Sequence, residues 1–310
     1  MLRYIVKRIV LMIPVLIVMT LIVFSIFYFG PGDPVSRIVG PNVTPEVYES
    51  IRQKYGLDQP FIVQYLRFLK SVVEGDLGMS ILQERPVIEM IKERLPITLQ
   101  IGLLGFLITF VVAIPIGVIA AVKKNTVVDY ISMSGILLGM AVPTFWFGMM
   151  LLYVFGYKLR WFPISGYGSI RHYILPSLAI GLTNAAATAR MVRSNMLEVL
   201  KQDYIRTARS KGLLERIVVY KHALKNALIP VITIMGLRLG WILGGSVALE
   251  LIFSIPGLGR LMVDSILARD YPVVQGAMVV LTSSIILANI LADILYAVVD
   301  PRIVKEGDSG

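Results

Sequence analysis

The sequence predicts an all-α membrane protein with about six transmembrane helices. Two observations predict it. Hydrophobic residues fill 56% of the 310 positions and charged residues only 16%, a balance too apolar for a soluble domain of this size. In addition, six stretches approach the roughly 20 mainly apolar residues that a span requires. They run over about 9–30, 97–122, 131–156, 174–191, 227–253 and 274–299, within one transmembrane domain over 1–310. Net charge is +10, but Lys and Arg cluster beside the apolar runs. That placement points to membrane topology rather than to nucleic acid.

The first run follows Arg3, Lys7 and Arg8 and lacks an Ala-x-Ala-like cleavage site, so it is expected to persist as a span. Residues 31–96 are polar and mixed in charge, and are expected to form a small helical insertion on the external side. Within it, Thr44 and Pro45 suit an N-cap and a first helical residue, with Gly56 as the stop. Pro60–Val73 suits a second short helix ending near Gly75. Pro115 and Pro143 are expected to kink the second and third spans. The fourth span is the least apolar. It places Pro176, Thr183, Asn184 and Thr188 among Ala and Gly, so it should face other helices or water more than lipid. The pairs Gly135/Gly139 and Gly240/Gly244 have the spacing that permits close helix contact.

Orientation follows from the basic flanks. Lys123 and Lys124 close the second span, and Arg302 and Lys305 follow the sixth. Nine Lys and Arg lie from Arg190 to Lys225, against only Glu198, Asp203 and Glu215. The positive-inside rule puts these flanks and both termini in the cytoplasm, although Lys158, Arg160 and Arg171 fall on the opposite side. Residues 192–226 then form a cytoplasmic loop. There is no Cys, hence no disulfide framework and no thiolate metal site.

That loop is the most informative segment. Leu197, Leu200, Tyr204, Thr207 and Lys211 recur at three- and four-residue steps, and Gly212 tolerates the left-handed conformation that ends a helix. Leu214–Leu228 forms a second helix that re-enters the membrane at Pro230. A short paired element of this kind can rest in a groove on a soluble partner. A basic loop lying on anionic headgroups is the alternative.

Asp203-Tyr204-Ile205-Arg206-Thr207-Ala208-Arg209-Ser210-Lys211-Gly212, with Lys221-His222-Ala223-Leu224-Lys225-Asn226-Ala227-Leu228-Ile229-Pro230, closely resembles the coupling loop of peptide-type (oligopeptide, dipeptide and nickel) ABC importer permeases. The likeness extends in order along the chain. It takes in Pro31-Gly32-Asp33-Pro34, Tyr55-Gly56-Leu57-Asp58-Gln59-Pro60, Gly75-Asp76-Leu77-Gly78, Ile255-Pro256-Gly257-Leu258-Gly259-Arg260-Leu261, Arg269-Asp270-Tyr271-Pro272 and Asp300-Pro301-Arg302. The resemblance implies a type I ABC importer permease fold in a bacterial inner membrane, carrying di- or oligopeptides. It also implies a non-catalytic subunit. Its partners would be a second homologous permease, two ATP-binding subunits, an external substrate-binding protein and the lipid bilayer. ATP and Mg would be held by the partners, with no cofactor or metal on this chain. Asp203, Tyr204, Arg206, Thr207, Ala208, Arg209, Lys211 and Gly212 would form the ATPase-coupling element. One departure concerns the broader superfamily, whose loop carries Glu-Ala-Ala. Here Arg206-Thr207-Ala208 stands in its place, a form the peptide branch shares.

Two further places follow. Arg238 sits inside the apolar stretch 231–253, where an arginine is costly and faces a cavity or a partner charge. With Asn184 and Trp241 it is a candidate for the translocation path, attracting a substrate carboxylate or pairing with an acid on the second permease. A structural pair or a snorkelling side chain is the alternative. Phe253, Pro256, Gly257, Leu258 and Gly259 are candidates for an external gate. The resemblance implies a re-entrant element capping the path, and an apolar plug can close a pore by excluding water. The bland alternative is a simple turn.

Other classes fit poorly. No Gly-x-x-x-x-Gly-Lys-Ser/Thr run occurs, so the chain lacks that route to nucleotide phosphates. Gly30-Pro31-Gly32-Asp33 matches the Gly-x-Gly-Asp of intramembrane aspartyl proteases, whose chemistry needs a second carboxylate. The partner Tyr-Asp motif is absent. A Ser-His protease fails because His172 and His222 fall on opposite sides. A self-sufficient secondary transporter or channel would want more intramembrane charges and no long coupling loop.

Overall fold

The computed structural model describes residues 2–29, 35, 44–54, 56–238, 240 and 246–299. Among them there is no strand, only an isolated bridge between Met79 and Pro86. The first helix, α1, spans Leu2–Phe29. Two short helices of the insertion follow, α2 (Pro45–Lys54) and α3 (Phe61–Val73), with the predicted starts and stops. The insertion packs back on α1. The Tyr65 hydroxyl donates to Ile17 O at 2.8 Å, and Phe24 sits in an aromatic cluster with Phe61, Tyr65 and Phe68.

Helix α4 spans Val87–Val122. It starts ten residues before the predicted span, just after Pro86. At 1.5 Å per residue its 36 residues reach about 54 Å, well beyond a hydrocarbon core of about 30 Å. Helix α7 spans Ile170–Val199 and is the central element. Its small residues let α4 come close: a Cβ on Gly181 would lie 2.5 Å from Ile108 Cγ2 and 2.9 Å from Gly105 O. Ser177 Oγ donates to Ile101 O at 3.1 Å and Thr109 Oγ1 to Gly181 O at 3.2 Å. Of the polar groups on α7, Ser177 thus joins it to α4, whereas Thr183, Asn184 and Thr188 turn toward Thr144, Arg238 and Met235. The small pair expected at Gly135/Gly139 is only half used. Gly139 meets Ala186, while a side chain at Gly135 would enter open space. Gly244 of the other pair lies outside the described residues.

The third predicted span is not one kinked helix. Helix α5 (Val127–Ala141) and helix α6 (Thr144–Leu151, continuing as a π-helical turn Leu152–Lys158) meet at 102°. Pro143 lacks the N–H that would continue α5, and Val142 before it is extended.

The loop after α7 also differs from expectation. Helix α8 spans Asp203–Ser210. The returning helix begins at Glu215 and runs through a π-helical turn, Val218–Ala223, into α9 (Leu224–Arg238). It is thus continuous with the fifth span rather than separate from it. The predicted stretch 227–253 is in turn not a single helix, because Gly240 and Ser246 stand in turns between α9 (Leu224–Arg238) and α10 (Val247–Ile252). Helix α11 (Leu258–Ala268) and helix α12 (Tyr271–Val299) complete the chain.

Among the described residues, three helices are long and apolar enough to cross a membrane: Val87–Val122, Glu215–Gly236 and Tyr271–Ile290. The bent α5–α6 pair makes a fourth if it counts as one span. Of the six expected, α1 contributes only the shorter apolar stretch Ile13–Ile26, and the fourth lies on the less apolar α7. The core has distinct centres. One, at the α8 end, joins Val118, Ala121, Val192, Met196, Ile205, Ala208, Val218 and Ala227. Two at the other end gather around Val87, Ile91 and Leu258, and around Ile101, Leu175, Leu249 and Phe253.

Candidate functional site

Helix α8 is eight residues long, too short to be stable alone in water. Tertiary contact holds it. Ile205 is fully buried and Ala208 nearly so, both in the core centre shared by α4, α7 and α9. The opposite face presents Asp203, Tyr204, Arg206, Thr207 and Arg209 to the outside. Two of the sequence expectations need correction here. The stripe Leu197–Leu200–Tyr204–Thr207–Lys211 does not exist as one face. Helix α7 stops at Val199, the turn at Leu200–Gln202 resets the helical phase, and α8 buries Ile205 and Ala208 instead. Ala208, expected among the coupling contacts, faces the protein's own core and serves as an anchor.

The turn beyond α8 is held from both sides. Gly212 has φ +73°, the left-handed region in which a Cβ is strained, and open space surrounds it. Arg209 and Glu215 clasp across the turn, with Nη2–Oε1 at 2.6 Å and Nε–Oε2 at 3.1 Å. The Arg209 hydrogen bond lowers the Glu215 carboxyl pKa, and Glu215 raises that of Arg209. Asn226 Nδ2 donates to the Tyr204 hydroxyl at 3.0 Å.

A second ion pair lies nearby, unanticipated from sequence. Arg193 of α7 grips Asp129 of α5 in bidentate fashion, Nε–Oδ1 2.7 Å and Nη2–Oδ2 2.8 Å. Asn125 N adds a third donor at 3.0 Å. Asp129 is buried, and its carboxyl pKa is lowered, first by the Arg193 hydrogen bond, against the opposing effect of burial.

Two of the three candidates for the path come together. Arg238 Nη1 donates to Asn184 Oδ1 at 3.3 Å, linking α9 to α7. The partner is a neutral amide, and the Arg238 side chain remains exposed. Trp241 lies outside the described residues.

The gate candidates are packed rather than looped. Phe253, Gly257, Leu258 and Gly259 are buried and Pro256 half-buried, with Leu258 and Gly259 forming the first turn of α11. At their centre is Glu250, which the sequence argument passed over. Its Oε1 accepts from Thr98 Oγ1 at 2.7 Å and from Ser246 Oγ at 2.9 Å, and its Oε2 accepts from Arg260 N at 2.9 Å. Thr98 Oγ1 also accepts from Leu258 N at 2.8 Å. A Cβ on Gly257 would fall 2.3 Å from Glu250 Cδ, so only glycine lets the carboxyl lie against that backbone. Asp270 does similar work next to α12. It accepts from Ser80 Oγ and from the backbone of Ile81 at 3.1 Å, tying the insertion to the helix start. A lone acid in an apolar run was the only available signal for Glu250. Among the described residues, no group of three or more His, Cys, Asp or Glu could hold a metal ion.

The chain matches known proteins along its length. Residues 113–305 fit the family model described as binding-protein-dependent transport system inner membrane component, and residues 1–102 fit the model for the N-terminal part of such components. The glutathione transport system permease protein GsiC of Escherichia coli (strain K12) is 43% identical over 303 residues, 98% of this chain and 99% of that protein. The oligopeptide transport system permease protein AppB of Bacillus subtilis (strain 168) is 43% identical over 311 residues, 97% of this chain and 98% of that protein. In shape, the chain is similar to one in the crystal structure of an amino acid ABC transporter with histidines. The TM-score is 0.50 at 15% identity, over 69% of this chain and 94% of that one.

Proposed function

The chain belongs to the family of binding-protein-dependent transport system inner membrane components, and we propose that it forms half of the translocation path for di- or oligopeptides in an ATP-driven importer. It is a permease subunit without catalytic chemistry of its own, as its relatives are. A second homologous permease completes the path. Two ATP-binding subunits hold ATP and Mg and dock on residues 203–212, and an external binding protein delivers the substrate. Both termini lie in the cytoplasm, on the α8 side.

The observation that carries this proposal is the seating of α8. Ile205 and Ala208 place it in one core centre with residues of α4, α7 and α9, mainly through the π-helical turn Val218–Ala223. A push on the exposed face therefore acts on three long helices together, as a switch between two packed states requires. Motion of these helices opens the path alternately to either side. The substrate class rests on the two relatives named for glutathione and oligopeptides, since both ligands are peptides with free carboxylates. Arg238 is suited to such groups, because a guanidinium pairs with carboxylate in bidentate geometry.

Uptake of labelled dipeptides, tetrapeptides and glutathione by proteoliposomes tests the proposal. The vesicles would hold the complex that co-purifies with this chain from its native membrane. ATP-dependent uptake of at least one peptide class, requiring the ATP-binding subunits, is expected. Uptake by the chain alone, driven by an ion gradient, would replace the importer with a self-sufficient transporter.

A further inference from the structure

We propose that Glu250 is the positioning residue that makes the external gate follow α4, and so connects the gate to the coupling element. The proposal rests on the gate and coupling assignments above. Glu250 is fully buried, and its carboxyl is a junction of three elements. Thr98 belongs to α4, Ser246 precedes α10, and Arg260 lies in the first turn of α11. The first-turn amides of a helix have no partners within it. Here two of them are claimed, Leu258 N by Thr98 Oγ1 and Arg260 N by Glu250 Oε2. Gly257 and Gly259 leave no gap over the carboxyl, since a Cβ on either would lie within 3.0 Å of a Glu250 oxygen. The first turn of α11 therefore cannot shift relative to α4 without breaking buried hydrogen bonds.

Helix α4 carries the connection to the other end. Thr98 stands about 30 Å along the helix from Val118. Val118 and Ala121 pack in the same core centre as Ile205 of α8. One continuous helix thus shares a core centre with the coupling element at one end and holds the Glu250 junction at the other. Neither site needs a deformable relay between them.

The chemistry specifies a carboxylate. Thr98, Ser246 and Arg260 all donate to it. A glutamine of the same shape has one acceptor oxygen and one donor nitrogen. With its oxygen toward the hydroxyls, it turns N–H onto Arg260 N–H. Reversed, it turns N–H onto the Thr98 and Ser246 oxygens and leaves both hydroxyl protons without this acceptor. Glu250→Gln therefore conserves volume and unseats at least one donor in either orientation.

This chain has no Cys, so two introduced cysteines are its only sites for spin labels, with any cysteines of the partner subunits replaced beforehand. Cysteines at Lys92 on α4 and Leu267 on α11, both exposed, would report the gate by electron–electron distance measurement. The assembled complex in nanodiscs would be compared without nucleotide and with ATP. In the native complex one narrow distance should be kept with and without ATP, because the gate follows α4. In Glu250→Gln the distribution should broaden, and with ATP the population at the native distance should fall at least about fivefold. ATP hydrolysis should continue while peptide uptake drops, a split that a merely structural residue would not give. Thr98→Val should behave like Glu250→Gln, and Thr98→Ser should restore the native result. This pair decides the matter if Glu250→Gln fails to assemble. A native distribution in both Glu250→Gln and Thr98→Val, with and without ATP, overturns the proposal, as does a Lys92–Leu267 distance that changes with ATP in the native complex. Variants that lose the distance while peptide uptake stays native overturn the gate assignment instead, which distinguishes the two failures.

Discussion

Removing the side chain of Ile205 is the sharpest perturbation of the coupling element, because it leaves the exposed face of α8 untouched. Ile205 and Ala208 are the buried residues of that helix. Ile205→Ala removes about three methylene equivalents, about 2.4 kcal/mol of transfer free energy at 0.8 each. Ile205 is fully buried, and a partly collapsed cavity raises the total to about 3 kcal/mol, inside the range for such changes. The remaining ties are weaker. Arg209–Glu215 is a partly exposed pair worth at most about 1 kcal/mol, and the Tyr204–Asn226 hydrogen bond is exposed. The docking equilibrium of α8 should therefore shift about 100-fold toward release. Hydrogen exchange of the amides of α8, read by mass spectrometry on the assembled complex, should speed up by that factor, while α4 and α7 keep their protection. Peptide uptake per ATP hydrolysed should fall in parallel. Exchange within threefold of native, with normal uptake, would refute the claim that Ile205 seats α8.

Three other perturbations test separate parts of the account. Gly212→Val combines a left-handed backbone with a β-branched side chain, and should lower uptake strongly at normal membrane levels. Gly212→Asp uncouples as well, but by a smaller factor, because Asp tolerates that conformation better; equal, native uptake by both would remove Gly212 from the coupling role. The Asp129–Arg193 clamp should show in acid. Asp129 has a lowered pKa in the folded chain, so its contribution is complete above the ordinary value of 3.8 and fades as pH falls below it. Arg193 stays charged throughout, so Asp129→Asn should lower the melting temperature at pH 7 and flatten its dependence on pH in the acid range. Arg238→Gln should cut uptake of peptides carrying a free carboxylate while leaving assembly intact, and unchanged uptake would take Arg238 out of the path.

Local chemistry was legible in the sequence where it is decided locally. Thr44, Pro45, Gly56 and Gly75 bracket the insertion helices, and Gly212 stops α8, because caps and left-handed turns depend on a few adjacent residues. Pro143 announced a kink, but the break into two helices at 102° depends on what α5 and α6 pack against. The phase of α8 was misread because the turn at 200–202 interrupts a pattern that looks continuous in one dimension. Long-range partners were not legible at all. Glu250 and Thr98 are 152 positions apart, and Ser80 and Asp270 are 190 apart. Arg193 and Asp129 are separated by 64, and neither stands out among many flanking charges. The family motifs mark several of these residues without showing that they converge on shared carboxylates.

The central claim is that the exposed face of α8 meets an ATP-binding subunit. A photo-crosslinking amino acid placed at Thr207 in native membranes tests it most directly, with a second placed at Ile62 at the opposite end of the molecule. Illumination should join the chain to an ATP-binding subunit from Thr207 alone, and Ile205→Ala should weaken that product. Lipid adducts from Thr207, with no protein product while the complex is demonstrably assembled, would mean that the basic loop rests on headgroups and that the force enters elsewhere.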